Sequence, residues 1–243
     1  MFDIENTLYE TEFHDNKIWR RFMEDSVFTQ ARGLSSAEVS DALDYFGLPG
    51  SVPGIVPVAG PQRLFGPAFT VRFAPIDSQC PGTVGDYLDD IPAGAIAVLD
   101  NTGRGDCTVW GGIMSQLAAH RSVAGTVIDG VCRDTAEADT AGYPLFALGH
   151  FMRTGKDRVQ VDAVGAPVSL AGVRVAPGDI VVADQDGVVI VPAGRAHAVF
   201  QRALAMQAVE HAIVAAALDG MSLRDARRQF GYHTLQRKPV PAA

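Results

Sequence analysis

The sequence predicts an α/β fold with a parallel or mixed central sheet and a C-terminal helical extension. Between residues 95 and 149, short apolar runs alternate with helical segments, the order that builds parallel strand pairs. Residues 167–192 consist of short β-branched runs separated by the turn sequences APGD and DQDG. From Arg195 onward the chain is rich in alanine, with apolar residues at helical spacing. Strands are therefore expected to precede one long terminal helix.

The first third of the chain predicts surface helices followed by a strand. Residues 1–33 form an N-terminal extension for which we expect short helices on the surface. Leu34–Gly47 is predicted as a helix, with Ser35 or Ser36 as its cap and Gly47 at its end. A stretch rich in proline and glycine follows, and Gly66–Pro75 then alternates in the manner of a strand.

The central segment predicts a strand–helix–strand–helix–strand unit. Short apolar runs predict buried strands, and the longer segments between them predict helices. The predicted elements are a strand at Ala95–Asp100, a polar loop NTGRGDC, a helix at Trp110–Arg121, a strand at Val123–Asp129, a helix at Asp134–Gly142 and a third strand, PLFALG.

The second half predicts a β-meander and then helices. Pro167–Pro192 is expected to fold as the meander, with DQDG as a hairpin loop. The two aspartates of DQDG resemble a calcium loop in composition, but the later ligands of such a loop are missing, so a hairpin turn is favoured. Arg195 to about Asp219 is predicted as one helix, with a short helix after it. The main domain is thus expected to span residues 34–194, with the helical extension at 195–243.

Composition narrows the class of protein. The net charge is −8, and no run rich in lysine or arginine is present, so the sequence favours neither nucleic acid nor an anionic membrane as a partner. The first residues lack the pattern of a signal peptide, and no apolar stretch reaches the roughly 20 residues of a bilayer span. Three cysteines without metal-ligand spacing argue against a disulfide framework or a structural zinc site. A cytoplasmic protein is expected.

An Arg-Asp pair follows the second strand of the central unit, and two interpretations of it stay open. Asp134 stands before a predicted helix with Glu137 three residues later, the pattern of a capping box. That interpretation leaves Arg133 unexplained, because a cation is unfavourable at a helix start. The second interpretation places both residues in a site at the carboxyl end of a parallel strand. There a carboxylate can hold a divalent cation, and a guanidinium can bind an anionic oxygen such as that of a 2-oxo acid.

A pair of glycines marks a second candidate for the same site. In WGGIMS, Gly111 and Gly112 begin a predicted helix and leave its first amides approachable. A helix start binds carboxylate or phosphate through such amides, whereas the alternative is that the glycines only permit close packing. Both strand ends can open onto one crevice.

These residues together resemble a known family. Gly111, Arg133 and Asp134, with about 20 residues between the helix start and the pair, are similar to the class II pyruvate aldolases. Those enzymes cleave 4-hydroxy-4-methyl-2-oxoglutarate and 4-carboxy-4-hydroxy-2-oxoadipate, and their family includes the regulator of ribonuclease activity A. The resemblance runs from about Leu34 to Gly231 and includes SDALDYFG, AGTVIDGVCRD, GYPLFALG and PGDIVVADQDGVVIVP.

The resemblance implies a swivelling β/β/α domain, assembled as a homotrimer or homohexamer with active sites between subunits. It implies Mg²⁺ or Mn²⁺ as the cofactor, with Asp134 as the metal ligand and Arg133 bound to the 2-oxo oxygen of the substrate. The amides of Gly111, Gly112, Ile113 and Met114 would hold the pyruvyl carboxylate. Glu210, in the C-terminal helix, best matches an acidic residue that reaches the neighbouring subunit's site, although a solvated helix face is the alternative.

One departure from the family pattern leaves the acid or base of the reaction open. An acidic residue often stands 21 positions before the arginine, and Gly112 occupies that position here.

The expected function is a metal-dependent lyase that releases pyruvate from a 4-hydroxy-2-oxo acid, with oxaloacetate decarboxylation as a side activity. The alternative is a non-catalytic regulator of the ribonuclease-regulator type, and the long helical segment after Arg195 favours the enzyme. The substituents of the substrate, the metal and the choice between trimer and hexamer stay open.

Overall fold

The computed structural model describes residues 25–235. The helices expected within residues 1–24 and the tail expected at 236–243 lie outside the described residues. The α-helices are α1 (Ser26–Ala31), α2 (Ser36–Phe46), α3 (Gly112–His120), α4 (Thr135–Thr140), α5 (Ala196–Leu218) and α6 (Leu223–Gln229). The strands are β1 (Ser51–Val52), β2 (Val56–Ala59), β3 (Leu64–Pro75), β4 (Ile96–Thr108), β5 (Gly125–Cys132), β6 (Leu145–His150), β7 (Val159–Val164), β8 (Val168–Leu170), β9 (Val173–Val175), β10 (Ile180–Asp184) and β11 (Gly187–Val191).

The predicted parallel core is confirmed, and it lies inside a mixed sheet. The strand order is β1-β11-β10-β3-β4-β5-β6-β2, with β7 paired to β3 off this path. The neighbours β3, β4, β5 and β6 are parallel, and the remaining pairs are antiparallel. This is the swivelling β/β/α arrangement, and the carboxyl ends of β4 and β5 therefore meet at one edge.

The segment NTGRGDC was predicted as a loop, and that prediction is wrong. It belongs to β4, which stays paired with β5 through Asp100↔Asp129, Arg104↔Gly130 and Thr108↔Val131. The register shifts twice between these pairs, so the extra residues bulge outward while the backbone keeps its partner strand. Polar residues fit this part of the strand because four of the five residues from Thr102 to Asp106 are exposed.

The predicted β-meander is divided between two sheets. The hairpin β10–β11 turns at DQDG as predicted and joins the main sheet, whereas β8 and β9 form a separate two-stranded sheet. Two buried carboxylates within β4 and β5 hold this second hairpin. Asp100 accepts a hydrogen bond from the Ser169 amide (3.0 Å), and Asp129 accepts one from the Ala171 amide (2.9 Å). Such contacts between distant segments leave no local signal in the sequence.

Three apolar clusters surround the sheet. One contains side chains of α3 and α4 packed on β3, β4 and β5, and it includes the buried Trp110 and Tyr143. A second joins α1, α2 and α5 to β10 and β11, where Phe28 meets Phe200 edge to face at 5.3 Å. The third lies under the β8–β9 hairpin. The cluster under α3 and α4 supports the strand ends at which both helices begin. Within residues 25–235, no helix has both the length and the apolar character needed to cross a membrane.

The predicted start and end of α2 are confirmed in detail. Ser35 forms a capping box with Glu38, and Gly47 ends the helix in the left-handed conformation. The DQDG hairpin adds a second support, because the Asp184 carboxylate accepts hydrogen bonds from the Ser36 amide (2.7 Å) and hydroxyl (2.6 Å). Burial opposes ionisation of Asp184, but these bonds and one from the Asp186 amide outweigh it and lower its pKa.

We expect Asp184→Asn to lower the free energy of unfolding at pH 7 by about 1 kcal/mol or more, because a charged acceptor of several hydrogen bonds is lost. A lowered folded-state pKa stabilises the protein above the ordinary carboxyl pKa, and this contribution disappears as the pH falls through the folded value. The deficit should therefore shrink at about pH 3. Urea unfolding at both pH values measures it, with the exposed Asp186→Asn as the matched control. A deficit that is independent of pH contradicts the assignment.

Candidate active site at the ends of β4 and β5

Arg133 and Asp134 lie between β5 and α4, next to the start of α3. The Arg133 amide donates a hydrogen bond to the Trp110 carbonyl (3.1 Å), which joins the segment after β5 to the segment after β4. The two strand ends therefore open onto one crevice, as predicted. Both side chains are partly open to solvent, at 38% for Arg133 and 39% for Asp134.

The carboxylate of Asp134 points to α3 and not to its own helix. Asp134 occupies the N-cap position of α4 with φ of 57°, in the left-handed region, and makes no side-chain capping bond there. Its Oδ2 accepts a hydrogen bond from the Gly112 amide (2.9 Å) and lies 3.4 Å from Arg133 Nε. The capping-box interpretation is therefore wrong. The left-handed backbone, which aspartate tolerates better than most residues, turns the carboxylate toward the neighbouring helix.

The glycine pair allows this close approach. A Cβ atom on Gly111 would lie 2.9 Å from Asp134 Oδ2 and 3.2 Å from Arg133 Nε. Gly111 is the N-cap of α3, and Gly112 is its first helical residue. The Gly112 amide is already bound to Asp134, so the first-turn amides without an intrahelical acceptor are those of Ile113 and Met114. These two amides are therefore the ones that remain for the carboxylate binding predicted from the sequence.

Buried contacts hold the start of α3 in place. The ring of Trp110 stacks on that of Tyr143, with centroids 5.8 Å apart and planes at 8°. Trp110 Nε1 donates to Ser115 Oγ (3.0 Å), and the Ser115 amide donates to the Gly111 carbonyl (3.1 Å). The amides of the first turn are therefore preorganised before any ligand arrives.

A cavity of about 240 Å³ brings the predicted residues together. Arg133, Asp134 and Gly111 to Met114 all line it. Its volume lies below the range of roughly 300–1,000 Å³ that is common for drug-sized ligands, so it suits a small ligand. The start of α3, a guanidinium and a carboxylate share this space.

The chain is similar to known proteins over most of its length. A family model described as RraA-like, Aldolase/RraA, matches residues 36–190. The chain belongs to the Aldolase/RraA family. It is 35% identical to protein DlpA of Legionella pneumophila over 211 residues, which cover 85% of this chain but 34% of DlpA, so the chain spans about a third of that relative.

Two further comparisons agree with this membership of the Aldolase/RraA family. A Halalkalibacterium halodurans protein provisionally named 4-hydroxy-4-methyl-2-oxoglutarate aldolase is 32% identical over 186 residues, covering 76% of this chain and 85% of the relative. The crystal structure of an uncharacterized protein from Pseudomonas syringae pv. tomato has a TM-score of 0.79 and 41% identity, covering 84% of this chain and 93% of that one. The fold and the family thus agree with the resemblance noted in the sequence.

Glu210 is the one predicted site residue of this Aldolase/RraA chain that does not line the cavity. It lies on α5, which packs on β10 and β11, while the cavity lies at the start of α3. Burial raises the pKa of Glu210, and the nearby Asp41 and Glu38 raise it further. A role for Glu210 at the cavity requires a second copy of the chain, and it stays a prediction.

The residues present fit a metal bound mainly by solvent. No group of three or more histidine, cysteine or acidic side chains in the described part of the chain could enclose a metal ion. Mg²⁺ usually keeps several waters and takes one or two protein carboxylates. Asp134 supplies one carboxylate at the cavity, and 39% of its side chain is open to solvent.

A second wall of the cavity was not predicted from the sequence. Thr154 and Lys156, in the turn between β6 and β7, line it together with Val84, Gly85 and Thr108. The segment RTGKDR carried a signal, because a glycine within a run of charged residues directly follows the third strand of a parallel unit. The position of this segment could not be predicted, because β7 was not predicted. The antiparallel pairing of β7 with β3 folds the turn back to the end of β4.

We expect Asp134→Ala to destabilise the protein by roughly 2 kcal/mol, about half from the lost acceptor at the start of α3 and half from alanine in a left-handed conformation. Asp134→Asn should stay close to the wild type, because asparagine tolerates that conformation and retains an oxygen for the Gly112 amide. Urea unfolding of the three proteins makes the comparison. Equal losses in both variants would contradict the structural role assigned to the carboxyl oxygen.

Proposed function

We propose that this protein is a divalent-metal-dependent aldolase that cleaves a 4-hydroxy-2-oxo acid into pyruvate and a second oxo acid. The observation that carries the proposal is the convergence of Arg133, Asp134 and the first amides of α3 on one small cavity. A 2-oxo acid presents a carboxylate beside a polarisable carbonyl, and these groups match that arrangement. The provisional name of the Halalkalibacterium halodurans relative supports the same reaction class.

The pyruvyl end of the substrate would be held at the start of α3. Its carboxylate would accept hydrogen bonds from the Ile113 and Met114 amides, where the helix dipole favours negative charge. The Gly112 amide stays with Asp134. Arg133 contacts Asp134 through Nε, so its Nη atoms can reach the 2-oxo oxygen.

Asp134 would hold the metal, with Mg²⁺ or Mn²⁺ as the expected ion. When bound, such an ion supplies Lewis-acid polarisation of the 2-oxo group. The contact between Arg133 Nε and Asp134 Oδ2 would keep the guanidinium beside the 2-oxo group of the substrate. Asp134 would therefore bind the metal and also accept the hydrogen bond from the Gly112 amide.

The bond cleavage places its negative charge near Arg133. Removal of the 4-hydroxyl proton lets the C3–C4 electron pair pass into the pyruvyl fragment, where the 2-oxo oxygen becomes an enolate oxygen. A guanidinium already in position stabilises that charge without reorganisation. Loss of CO₂ from oxaloacetate produces the same pyruvate enolate, so we also propose oxaloacetate decarboxylation as a side activity. Arg133 serves both reactions.

We expect pyruvate release from a panel of 4-hydroxy-2-oxo acids and oxaloacetate, dependent on Mg²⁺ or Mn²⁺ and abolished by a chelator. Asp134→Asn should lose this activity by at least 100-fold while it keeps its fold, because the charge toward the metal is removed and the bond from Gly112 is retained. A lactate-dehydrogenase-coupled assay measures pyruvate. Near-normal activity of Asp134→Asn would leave the carboxylate with its structural role alone.

Arg133→Ala tests whether the two reactions share one enolate. Both activities should fall together, by about 100-fold, the loss expected for one donor to a developing oxyanion. Loss of only one activity would contradict the shared intermediate. If the wild type turns over no substrate in the panel, the alternative of a non-catalytic regulator, which the combined family description also covers, takes the place of the aldolase proposal.

We further propose that the active unit is a homotrimer, or a hexamer of two trimers, in which Glu210 of one chain approaches Arg133 and Asp134 of another. The second half of α5 supports this proposal, because Val214 is 56% exposed and Leu218 is 84% exposed. A neighbouring chain would cover these apolar side chains. In that position Glu210 would accept the 4-hydroxyl proton, and its raised pKa suits a base that must also return a proton.

Mixing Asp134→Asn chains with Glu210→Gln chains should restore part of the activity that each lacks alone, because some mixed interfaces then contain two intact partners. Light scattering before and after mixing shows the assembly state and subunit exchange. Mixed oligomers without activity would contradict a site shared by the two residues, and an active monomer would rule it out.

The three unpaired cysteines agree with the cytoplasmic location that we propose for the protein.

A further inference from the structure

The diglycine peptide, which is the peptide group between Gly111 and Gly112, is held at both of its ends. Its carbonyl oxygen accepts two hydrogen bonds from Ser115, one from the amide (3.1 Å) and one from the hydroxyl (3.3 Å). Its N–H donates to Asp134 Oδ2 (2.9 Å). A trans peptide is planar, and its C=O and N–H point in opposite directions. The bonds that fix the carbonyl therefore also fix the direction of the N–H toward Asp134.

The diglycine peptide depends on these bonds because it has glycine on both sides. Rotation of a peptide group changes ψ of the residue before it and φ of the residue after it, and glycine tolerates both changes. Side chains at these positions cannot supply the restraint, because no room exists for them. A Cβ atom on Gly111 would lie 2.9 Å from Asp134 Oδ2, and one on Gly112 would lie 3.3 Å from Asp134 Cβ.

Trp110 sets the direction of the Ser115 hydroxyl. The side chain of Ser115 is fully buried, and its Oγ accepts a hydrogen bond from Trp110 Nε1 (3.0 Å). Because an indole N–H can only donate, the serine proton must point to another acceptor, and the Gly111 carbonyl is that acceptor. The Trp110 ring is itself stacked on Tyr143, whose hydroxyl is hydrogen-bonded to Thr126 (2.8 Å). Buried contacts, and not solvent, thus orient this hydroxyl.

We propose that Ser115 is a positioning residue that aligns the Asp134 carboxylate through the diglycine peptide. Ser115 does not line the cavity, so it acts on Asp134 through this peptide and takes no part in the bond cleavage. The metal-binding role of Asp134 rests on the proposed function, whereas the alignment is a property of the fold. Without the hydroxyl, the diglycine peptide turns more often to orientations in which its N–H no longer meets Asp134.

The sequence offers a selective probe of this alignment. Gly111 and Gly112 form the single Gly-Gly pair of the chain. Labelling with glycine that carries both a ¹³C carbonyl and ¹⁵N therefore leaves one amide signal in a carbonyl-selected NMR spectrum, that of Gly112. The rate at which this amide exchanges its hydrogen with solvent reports how often its bond to Asp134 opens.

Ser115→Ala should raise the exchange rate of the Gly112 amide by about tenfold, because loss of one hydrogen bond shifts a local equilibrium by about that factor. Tyr143→Phe is the matched control, since it removes a buried hydroxyl from the same aromatic stack and leaves the diglycine peptide untouched. Its Gly112 exchange should stay within about twofold of the wild type. Ser115→Thr should also stay close to the wild type, because threonine can bond the carbonyl four residues earlier in a helix.

Equal exchange rates in Ser115→Ala and Tyr143→Phe would overturn the proposal, because a general loosening of the core would then explain both. If Ser115→Ala does not fold, Ser115→Cys takes its place, since a thiol keeps the volume and donates only weakly. Gly112 should again exchange faster, and an unchanged rate in Ser115→Cys would count against Ser115 as the positioning residue.

Mn²⁺ binding, followed by electron paramagnetic resonance, separates this proposal from the aldolase. Ser115→Ala should bind Mn²⁺ more weakly by about threefold or more, with Tyr143→Phe close to the wild type. Faster Gly112 exchange with unchanged Mn²⁺ affinity would overturn the proposal, because the peptide would then not align the carboxylate. If the wild type binds no Mn²⁺, the metal role in the aldolase proposal fails, and the Gly112 exchange rates alone decide on Ser115.

Discussion

The hydrogen bond from the Gly112 amide to the Asp134 carboxylate joins the two halves of the site. It connects the first residue of α3 with the segment after β5, and these segments are separated by a complete helix and strand of the chain. Arg133 Nε approaches the same oxygen, so two donors from different segments meet at one carboxylate atom. Together with the bond from the Arg133 amide to the Trp110 carbonyl, this bond fixes the start of α3 relative to the Arg-Asp pair.

This bond gives Asp134 a structural role in addition to the metal-binding role that we propose for it. The backbone of Asp134 has a positive φ, which costs free energy in a residue other than glycine. Such a conformation persists only where the surrounding contacts hold it in place. Trp110 supplies this support, because its buried ring stacks on Tyr143 and its Nε1 donates a hydrogen bond to Ser115. The site is thus rigid on the side of α3 and partly open to solvent at the Arg133 and Asp134 side chains.

The residues that line the cavity all lie within the part of the chain that the Aldolase/RraA family model matches. The family model covers the sheet and the strand ends, at residues 36–190, and it stops before α5. Glu210 and the exposed apolar side chains of α5 therefore belong to the part of the chain that the family model leaves out. The turn that carries Lys156 lies inside the matched region.

The sequence by itself determined the elements whose signals are local. Ser35 and Gly47 bound α2 as predicted, the apolar runs of β4, β5 and β6 became parallel strands, and DQDG became a hairpin. Capping groups, turn residues and apolar periodicity act within a few residues of one another, which is why they can be predicted from the sequence. The Arg-Asp pair was likewise identified from its place at the end of a strand.

Only the tertiary structure decided which distant groups meet. It extended β4 through a polar segment by pairing it with β5, and it separated β8 and β9 from the meander through the carboxylates of Asp100 and Asp129. It directed Asp134 to the Gly112 amide in place of its own helix, and it brought Lys156 to the same cavity. The physical reason is common to all four cases. Each depends on a hydrogen bond or a close approach between segments that are far apart in the chain, and such contacts form only when the whole sheet is assembled.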